Sequence, residues 1–208
     1  MVKLIWATPD ADKVVGYCAR VSNPANQDNE DVAGLLRYCA KHGHWSVFEM
    51  ASACIEINTT RDIARQMLRH RSFSFQEFSQ RYADASLLGD MVEREPRMQD
   101  MKNRQNSLPC NDDYKTEFFK KDQRRVWRMA TAAYHEALTL GIAKEQARAL
   151  LPEGLTPSRV YMSGTLRSWI HFISVRSDAS TQKEHRVIAQ SVREVLLGVA
   201  PIIIGATT

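Results

Sequence analysis

Between Arg69 and Tyr82 the sequence reads RHRSFSFQEFSQRY, a run dense in side chains that hold anions. Arg69, His70 and Arg71 bring two guanidinium forks and an imidazole. After seven intervening residues, 72 through 78, Ser79, Gln80, Arg81 and Tyr82 return donors and another guanidinium to the same neighbourhood. Guanidinium forks suit phosphates and planar oxyanions, which they grip bidentately. The chemistry implied is the binding of an anionic ligand, a nucleotide. Phe73 and Phe75 alternate with Ser72, Ser74 and Gln76, as in a short extended segment with one face buried.

Regular elements must position this run. Thr59–Leu68 reads as a helix with Ile63, Ala64, Met67 and Leu68 as its apolar stripe. Arg61, Arg65 and Arg69 stand at successive i, i+4 positions on it, a like-charged row that costs roughly 0.2–0.5 kcal/mol per pair. Asp62 offsets only part of that repulsion. Before the helix, residues 51–58 alternate, with Ala53, Ile55 and Ile57 on one side, as in a strand with one polar face. Further upstream come a strand, Val2–Trp6, and a helix capped by Thr8 with Pro9 at its first position. Val14, Val15, Cys18 and Val21 form that helix's buried face. A second helix, Glu30–His42, turns Val32, Leu35, Leu36, Cys39 and Ala40 inward and is stopped by Gly43.

Downstream, Ala83–Thr116 is polar and turn-rich and reads as a solvated loop, with a substrate-covering loop as the other reading. Arg97, Lys102 and Arg104 give it charge. Tyr114–Leu140 is one long helix whose stripe is Phe118, Val126, Met129, Ala130, Ala133, Tyr134 and Leu138. Lys144–Leu151 is a shorter helix carrying Arg148, and Arg159–Ser163 is a strand with Val160 and Met162 on one face. Gly164–Arg176 is helical, with Arg167 and His171 as i, i+4 neighbours. The last helix opens on a capping box, Thr181 and Glu184, and closes at Gly198 and Pro201. Helices outnumber strands, and the strands are not each followed by one crossover helix. The expected fold class is α+β, one domain over residues 1–208 with a small antiparallel sheet flanked by several helices.

Arg69-His70-Arg71, the spacing to Ser79, and Arg81-Tyr82 resemble the signature of the flavin-dependent thymidylate synthases. Three further stretches are similar to that family: His42-Gly-His-Trp-Ser46, Ala147-Arg-Ala-Leu-Leu-Pro152, and Leu166-Arg-Ser-Trp-Ile-His-Phe172 leading to Arg176. The resemblance implies reductive methylation of dUMP to dTMP with FAD, NADPH and methylenetetrahydrofolate, in a homotetramer with shared active sites and without an enzyme nucleophile. It implies dUMP contacts from Gln66, Met67, Leu68, Arg69, Glu77, Phe78, Ser79, Gln80, Arg81 and Arg148. It implies FAD contacts from Ser46, Arg69, His70, Arg71, Glu77, Thr165, Leu166, Arg167 and His171. Arg176 matches the arginine that acts on the pyrimidine N3. Met50, Ser180 and Thr165 stand where the family often has histidine, histidine and asparagine.

Length and composition agree with an enzyme of this size. The 208 residues are 44% hydrophobic and 25% charged, with net charge +4. That is a globular chain that can bury a substantial core, and its charge falls short of a dedicated nucleic-acid binder. The opening MVKLIWATPD lacks the apolar region of a signal peptide, and no apolar run reaches membrane-spanning length, so a cytoplasmic protein off the membrane is expected. Cys18, Cys39, Cys54 and Cys110 are scattered with no Cys-x-x-Cys pair, so no metal site is expected. Two other functions compete. Leu108-Pro109-Cys110 superficially resembles the nucleophile region of the cysteine-dependent thymidylate synthase. A basic single-stranded nucleic-acid-binding protein would set Arg61, Arg65, Arg69, Arg71 and Arg81 on phosphates and stack bases on Phe73 and Phe75.

Overall fold

Four strands form the main sheet, in the spatial order β1-β2-β6-β3: β1 is Val2–Ala7, β2 Ser52–Thr60, β6 Pro157–Thr165 and β3 Ser74–Glu77. The computed structural model describes residues 1–208. β1 runs antiparallel to β2, with Val2 opposite Ile57 and Leu4 opposite Ile55, and a register shift lies between Leu4 and Trp6. Around the strands are α1 (Ala11–Ala19), α2 (Ala33–Lys41), α3 (Arg61–Met67), α4 (Asp113–Thr139), α5 (Lys144–Ala147), α6 (Leu166–Arg176), α7 (Lys183–Leu197) and α8 (Pro201–Thr207). The fold is α+β with one long helix, as expected. The chain resolves into two compact units, and β2, β3 and β6 each run from one into the other.

The first unit comprises Met1–Ile57, His70–Phe75 and Tyr161–Thr208. The alternating face of β2 is its floor: Ala53, Ile55 and Ile57 are fully buried. Above it, α6 sinks Leu166, Trp169, Phe172 and Ile173, and the Trp169 indole N–H donates to the Ala53 carbonyl at 3.2 Å. α2 packs on α8, and α7 packs on α6, α8 and β1.

Several helix ends in this unit differ from the sequence reading. Thr8 does not cap α1; its hydroxyl accepts from the Ser52 N–H at 3.0 Å, prolonging strand pairing, and the helix begins after Asp10 in a left-handed conformation. α1 stops at Ala19, which leaves Val21 exposed. The Thr181–Glu184 box does not form, because the Thr181 hydroxyl donates to the Val175 carbonyl and Gln182 takes the cap position. α7 ends at Leu197 with Gly198 as its cap, as expected, but it is not the last helix, because Pro201 opens α8. There the buried Asp12 carboxylate accepts from the Ile202 and Ile203 N–H groups at 2.9 and 3.1 Å, capping a helix far away in sequence.

The second unit comprises Asn58–Arg69 and Gln76–Val160. Tyr134, Ala137, Ala85 and Ala147 make a small core, with Leu138 and Leu151 packed against it. The predicted stripe on α4 is mostly outside: Phe118 is 55% and Met129 66% exposed, whereas Tyr134 is 1%. A 27-residue helix outruns its own core, so among its apolar residues only those near the C-terminal end are well covered. Within Ala83–Thr116 the expected loop holds a short hairpin, β4 (Arg97–Gln99) against β5 (Ser107–Pro109). Lys144–Leu151 is α5 followed by a tighter turn over Arg148–Leu150.

Candidate active site

Two cavities, one in each unit, collect some of the residues singled out above. In the second unit α3 starts where the Arg61 N–H bonds to the Thr156 carbonyl at 3.1 Å, and one turn later it presents Arg65 beside Arg61. β3 ends in a turn in which Ser79 accepts from the N–H groups of Tyr82 and Ala83, and this turn delivers Gln80, only 3% exposed. The turn after α5 delivers Arg148. Arg61, Arg65, Gln80 and Arg148 line one cavity of about 360 Å³, together with Glu145 and Glu153.

Carboxylates hold Arg61, Arg65 and Arg81 in place, and Arg148 Nε donates to the Glu145 backbone carbonyl at 3.2 Å. Arg61 donates to Glu77 at 3.2 Å, and the Ser158 hydroxyl donates to the same Glu77 oxygen at 2.7 Å. Arg65 pairs with Glu153 at 2.5 Å, and Arg81 with Glu145 at 3.4 Å. Asp62, expected to relieve the arginine row, instead pairs with Arg94 at 2.7 Å. The row is relieved from outside the helix. Exposed ion pairs such as Arg65–Glu153 contribute about 0–1 kcal/mol, so a phosphate, with its roughly −2 charge, readily competes for the arginines.

In the first unit a cavity of about 540 Å³ is lined by Trp45, Glu49, Ser72, Arg167, Ser168 and His171, among others. Thr165 caps α6, its hydroxyl accepting from the Ser168 N–H at 3.3 Å, so the threonine at the position often held by asparagine has a structural task. That cap fixes the helix start, and Arg167 and His171 follow one turn apart on its cavity-facing side. Arg167 pairs with Glu49. Nearby, the Arg176 Nε–H donates to His70 Nε2 at 2.9 Å. His70 is 9% exposed and lies edge-on to Phe172, with ring centroids 5.1 Å apart. Burial and the Arg176 charge push its pKa down to about 4, so near neutrality the ring is an uncharged acceptor. Burial, Arg176 and His70 likewise push His185 down to about 3.

Of the predicted nucleotide contacts, Gln80 and Arg148 line the arginine cavity, while Glu77 and Arg81 bond to residues that line it. Phe78 extends strand pairing, its N–H bonding to the Arg159 carbonyl, and Ser79 forms the turn. Met67 is fully buried, so its side chain belongs to the core. Gln66 is half-buried on α3, and Leu68 and Arg69 are exposed just past its end. Of the predicted flavin contacts, Arg167 and His171 line the other cavity, Ser46 is exposed and outside its lining though next in sequence to Trp45, Leu166 is buried and Arg71 is exposed. The sequence reading missed Glu49, Glu145 and Glu153 as lining residues. They join their partners only through tertiary contacts across 118, 64 and 88 positions in the chain (167 − 49, 145 − 81 and 153 − 65). Arg61 and Arg65 were legible as a cationic row, and that row was the available signal.

Residues 3–202 match the family model described as thymidylate synthase complementing protein, Thy1. The chain belongs to this family. A flavin-dependent thymidylate synthase of Synechocystis sp. is 50% identical over 193 residues, which cover 93% of this chain and 87% of the relative. A probable flavin-dependent thymidylate synthase of Paramecium bursaria Chlorella virus 1 is 46% identical, covering 93% and 88%. Among solved structures, the UMP/dUMP methylase PolB of Streptomyces cacaoi, bound with 5-Br dUMP, superposes with a TM-score of 0.83 at 27% identity, over 99% of this chain and 93% of that one. For a Thy1 member the nucleic-acid reading fails on geometry. Phe73 is buried and packs edge-on against Trp169 at 4.7 Å, so it offers no face to a base. The Cys110 thiol donates to the Asp112 carbonyl at 3.8 Å, and no histidine, lysine or arginine is its partner. No helix is long and apolar enough to cross a membrane.

Proposed function

We propose that this chain is a flavin-dependent thymidylate synthase that methylates dUMP to dTMP, with NADPH and methylenetetrahydrofolate as co-substrates and FAD as cofactor. The observation that carries the reading is the arginine cavity, where Gln80 and Arg148 meet Arg61 and Arg65 in a chain 50% identical to an enzyme of that name. Its donors suit the nucleotide phosphate. In the other cavity a guanidinium, an imidazole, an indole and serine hydroxyls form a donor set that fits an aromatic cofactor bearing a pyrophosphate. Arg167 and His171 would hold the pyrophosphate, with Ser46, Thr165 and Leu166 close to lining residues in the chain and Trp45 offering an aromatic face. When bound, the flavin supplies hydride to the methylene carbon delivered by the folate.

The protein's share is binding and electrostatics. Arg176, with its Nε–H anchored on neutral His70, would supply the fixed cation that favours an electron-rich pyrimidine ring able to attack the folate methylene. Glu77, held by Arg61 and Ser158, orients the nucleotide. Residues 1–208 act as one catalytic domain in the cytoplasm. A homotetramer with shared sites is supported by the exposed apolar side of α4, Tyr114, Phe118, Val126 and Met129, which in a monomer would face water. Purified protein should absorb as a flavoprotein or bind FAD saturably, and it should convert dUMP to dTMP. Arg176→Ala should lower kcat by at least about a hundredfold with FAD and dUMP still taken up. Near-normal turnover in that variant would remove Arg176 from catalysis, and absence of dTMP formation by the wild type would defeat the proposal.

A further inference from the structure

Arg94 lies in the polar segment between the Ser79 turn and α4, a region with no assigned part in the chemistry. Its side chain is nevertheless 13% exposed, and two of its guanidinium nitrogens donate to separate pieces of chain. Nε donates to the Gly154 carbonyl at 3.2 Å. One terminal nitrogen donates to the Thr60 hydroxyl at 2.5 Å and to both Asp62 oxygens at 2.7 and 3.0 Å. The backbone of Arg94 is itself clamped: its N–H donates to Gln123 Oε1 at 2.7 Å, and its carbonyl accepts from Gln123 Nε2 at 2.9 Å. Gln123, on α4, is 6% exposed. Anchor and arm are both fixed.

The two pieces that Arg94 joins are the two walls of the arginine cavity. Thr60 and Asp62 begin α3, which carries Arg61 and Arg65. Gly154 follows Glu153, the carboxylate paired with Arg65. We propose that Arg94 is a positioning residue for nucleotide binding, a bracket that sets the spacing between α3 and the Glu153–Gly154 wall and so aims Arg61 and Arg65 at the substrate phosphate. This rests on the proposed nucleotide role of that cavity. The task suits arginine, whose rigid planar fork can engage both walls at once, whereas a lysine ammonium on a flexible stem can serve one. Thr60 and Asp62 need a donor from outside, since the hydroxyl already donates to Asp62 at 2.5 Å.

The experiment compares wild type, Arg94→Lys and Arg94→Ala, all as flavin-loaded full-length protein, by calorimetric titration with dUMP, thermal melting, visible spectrum and steady-state kinetics. The bracket predicts that Arg94→Lys keeps most of the melting temperature, because its charge still meets Asp62, yet raises both the dUMP Kd and KM about tenfold. Its flavin spectrum and its kcat at saturating dUMP should stay within about twofold of wild type, a loss of ground-state positioning rather than of chemistry. Arg94→Ala should weaken dUMP at least as much, and if it does not fold, the lysine variant decides alone. A lysine variant with wild-type Kd overturns the inference. So does one whose kcat and flavin binding fall together with its affinity, since that is general loosening. Wild-type protein that turns over without saturable dUMP uptake, or that takes up no dUMP, instead defeats the assignment of the cavity.

Discussion

Lowering the pH from 7.5 to 5 should cost this protein about 4 kcal/mol of stability through two histidines. His70 is 9% exposed and His185 fully buried, and their pKa values are pushed down to about 4 and about 3 by burial and by Arg176. Unfolded, each returns to about 6.5. Between those values the unfolded chain binds more protons than the native one, so stability rises with pH. The contribution is complete above about pH 6.5 and drains away as pH falls towards the native values. At pH 5 each ring forfeits about 2 kcal/mol, from the ratio of its unfolded and native proton-binding terms. Arg176, His171, Phe73 and Phe172 lie against this pair. Carboxyls such as Asp100, held down by the Lys102 N–H, and Asp178, held down by the Ser180 hydroxyl, lose their share only below about pH 4, outside the window. Urea unfolding at fixed protein concentration is the assay. With a slope of about 2 kcal/mol per molar, the midpoint should drop by about 2 M between pH 7.5 and 5. His185→Gln should roughly halve the drop. A wild-type midpoint that stays put across this range, or a variant that loses as much as the wild type, refutes the reasoning.

Two further outcomes follow from packing. A Cβ on Gly164 would meet the Phe73 ring at 2.5 and 2.8 Å, and Phe73 is wedged against Trp169. Gly164→Ala should therefore cost about 1–3 kcal/mol as overpacking and lower the melting temperature by several degrees; an unchanged melt would show that the ring yields freely. If the exposed side of α4 joins copies of the chain, Phe118→Asp with Met129→Asp should reduce the assembly's mass by light scattering and lower dUMP turnover with it. An unaltered mass would place the contact between copies elsewhere.

Much of the local structure was legible because it depends on near neighbours. The alternation of Ala53, Ile55 and Ile57, the positive φ of Gly43 at the end of α2, and the apolar spacing of Leu166, Trp169, Ile170 and Ile173 are short-range patterns that the fold keeps. Capping was less legible, because a hydroxyl next to a helix has other partners. Thr8 is claimed by Ser52 and Thr181 by Val175, and neither competitor is visible without the folded chain. The stripe on α4 misled for a related reason. Periodicity says which residues share a face, but whether anything covers that face depends on other elements, and of the apolar residues there only Tyr134 and Ala137 are well covered.

The candidate site divides in the same way. The sequence by itself determined the chemistry: guanidinium groups at Arg69, Arg71, Arg81, Arg148 and Arg176, spaced as in the Thy1 family, imply a nucleotide ligand because residue type fixes charge and fork geometry. Only the tertiary structure decided how those groups are balanced and aimed. Arg61 answers to Glu77, Arg65 to Glu153, Arg94 to Asp62 and Gly154, and Arg176 to an imidazole whose burial keeps it uncharged near neutrality. Electrostatic strength depends on distance and desolvation, and both are set by chain segments that meet only once the protein has folded.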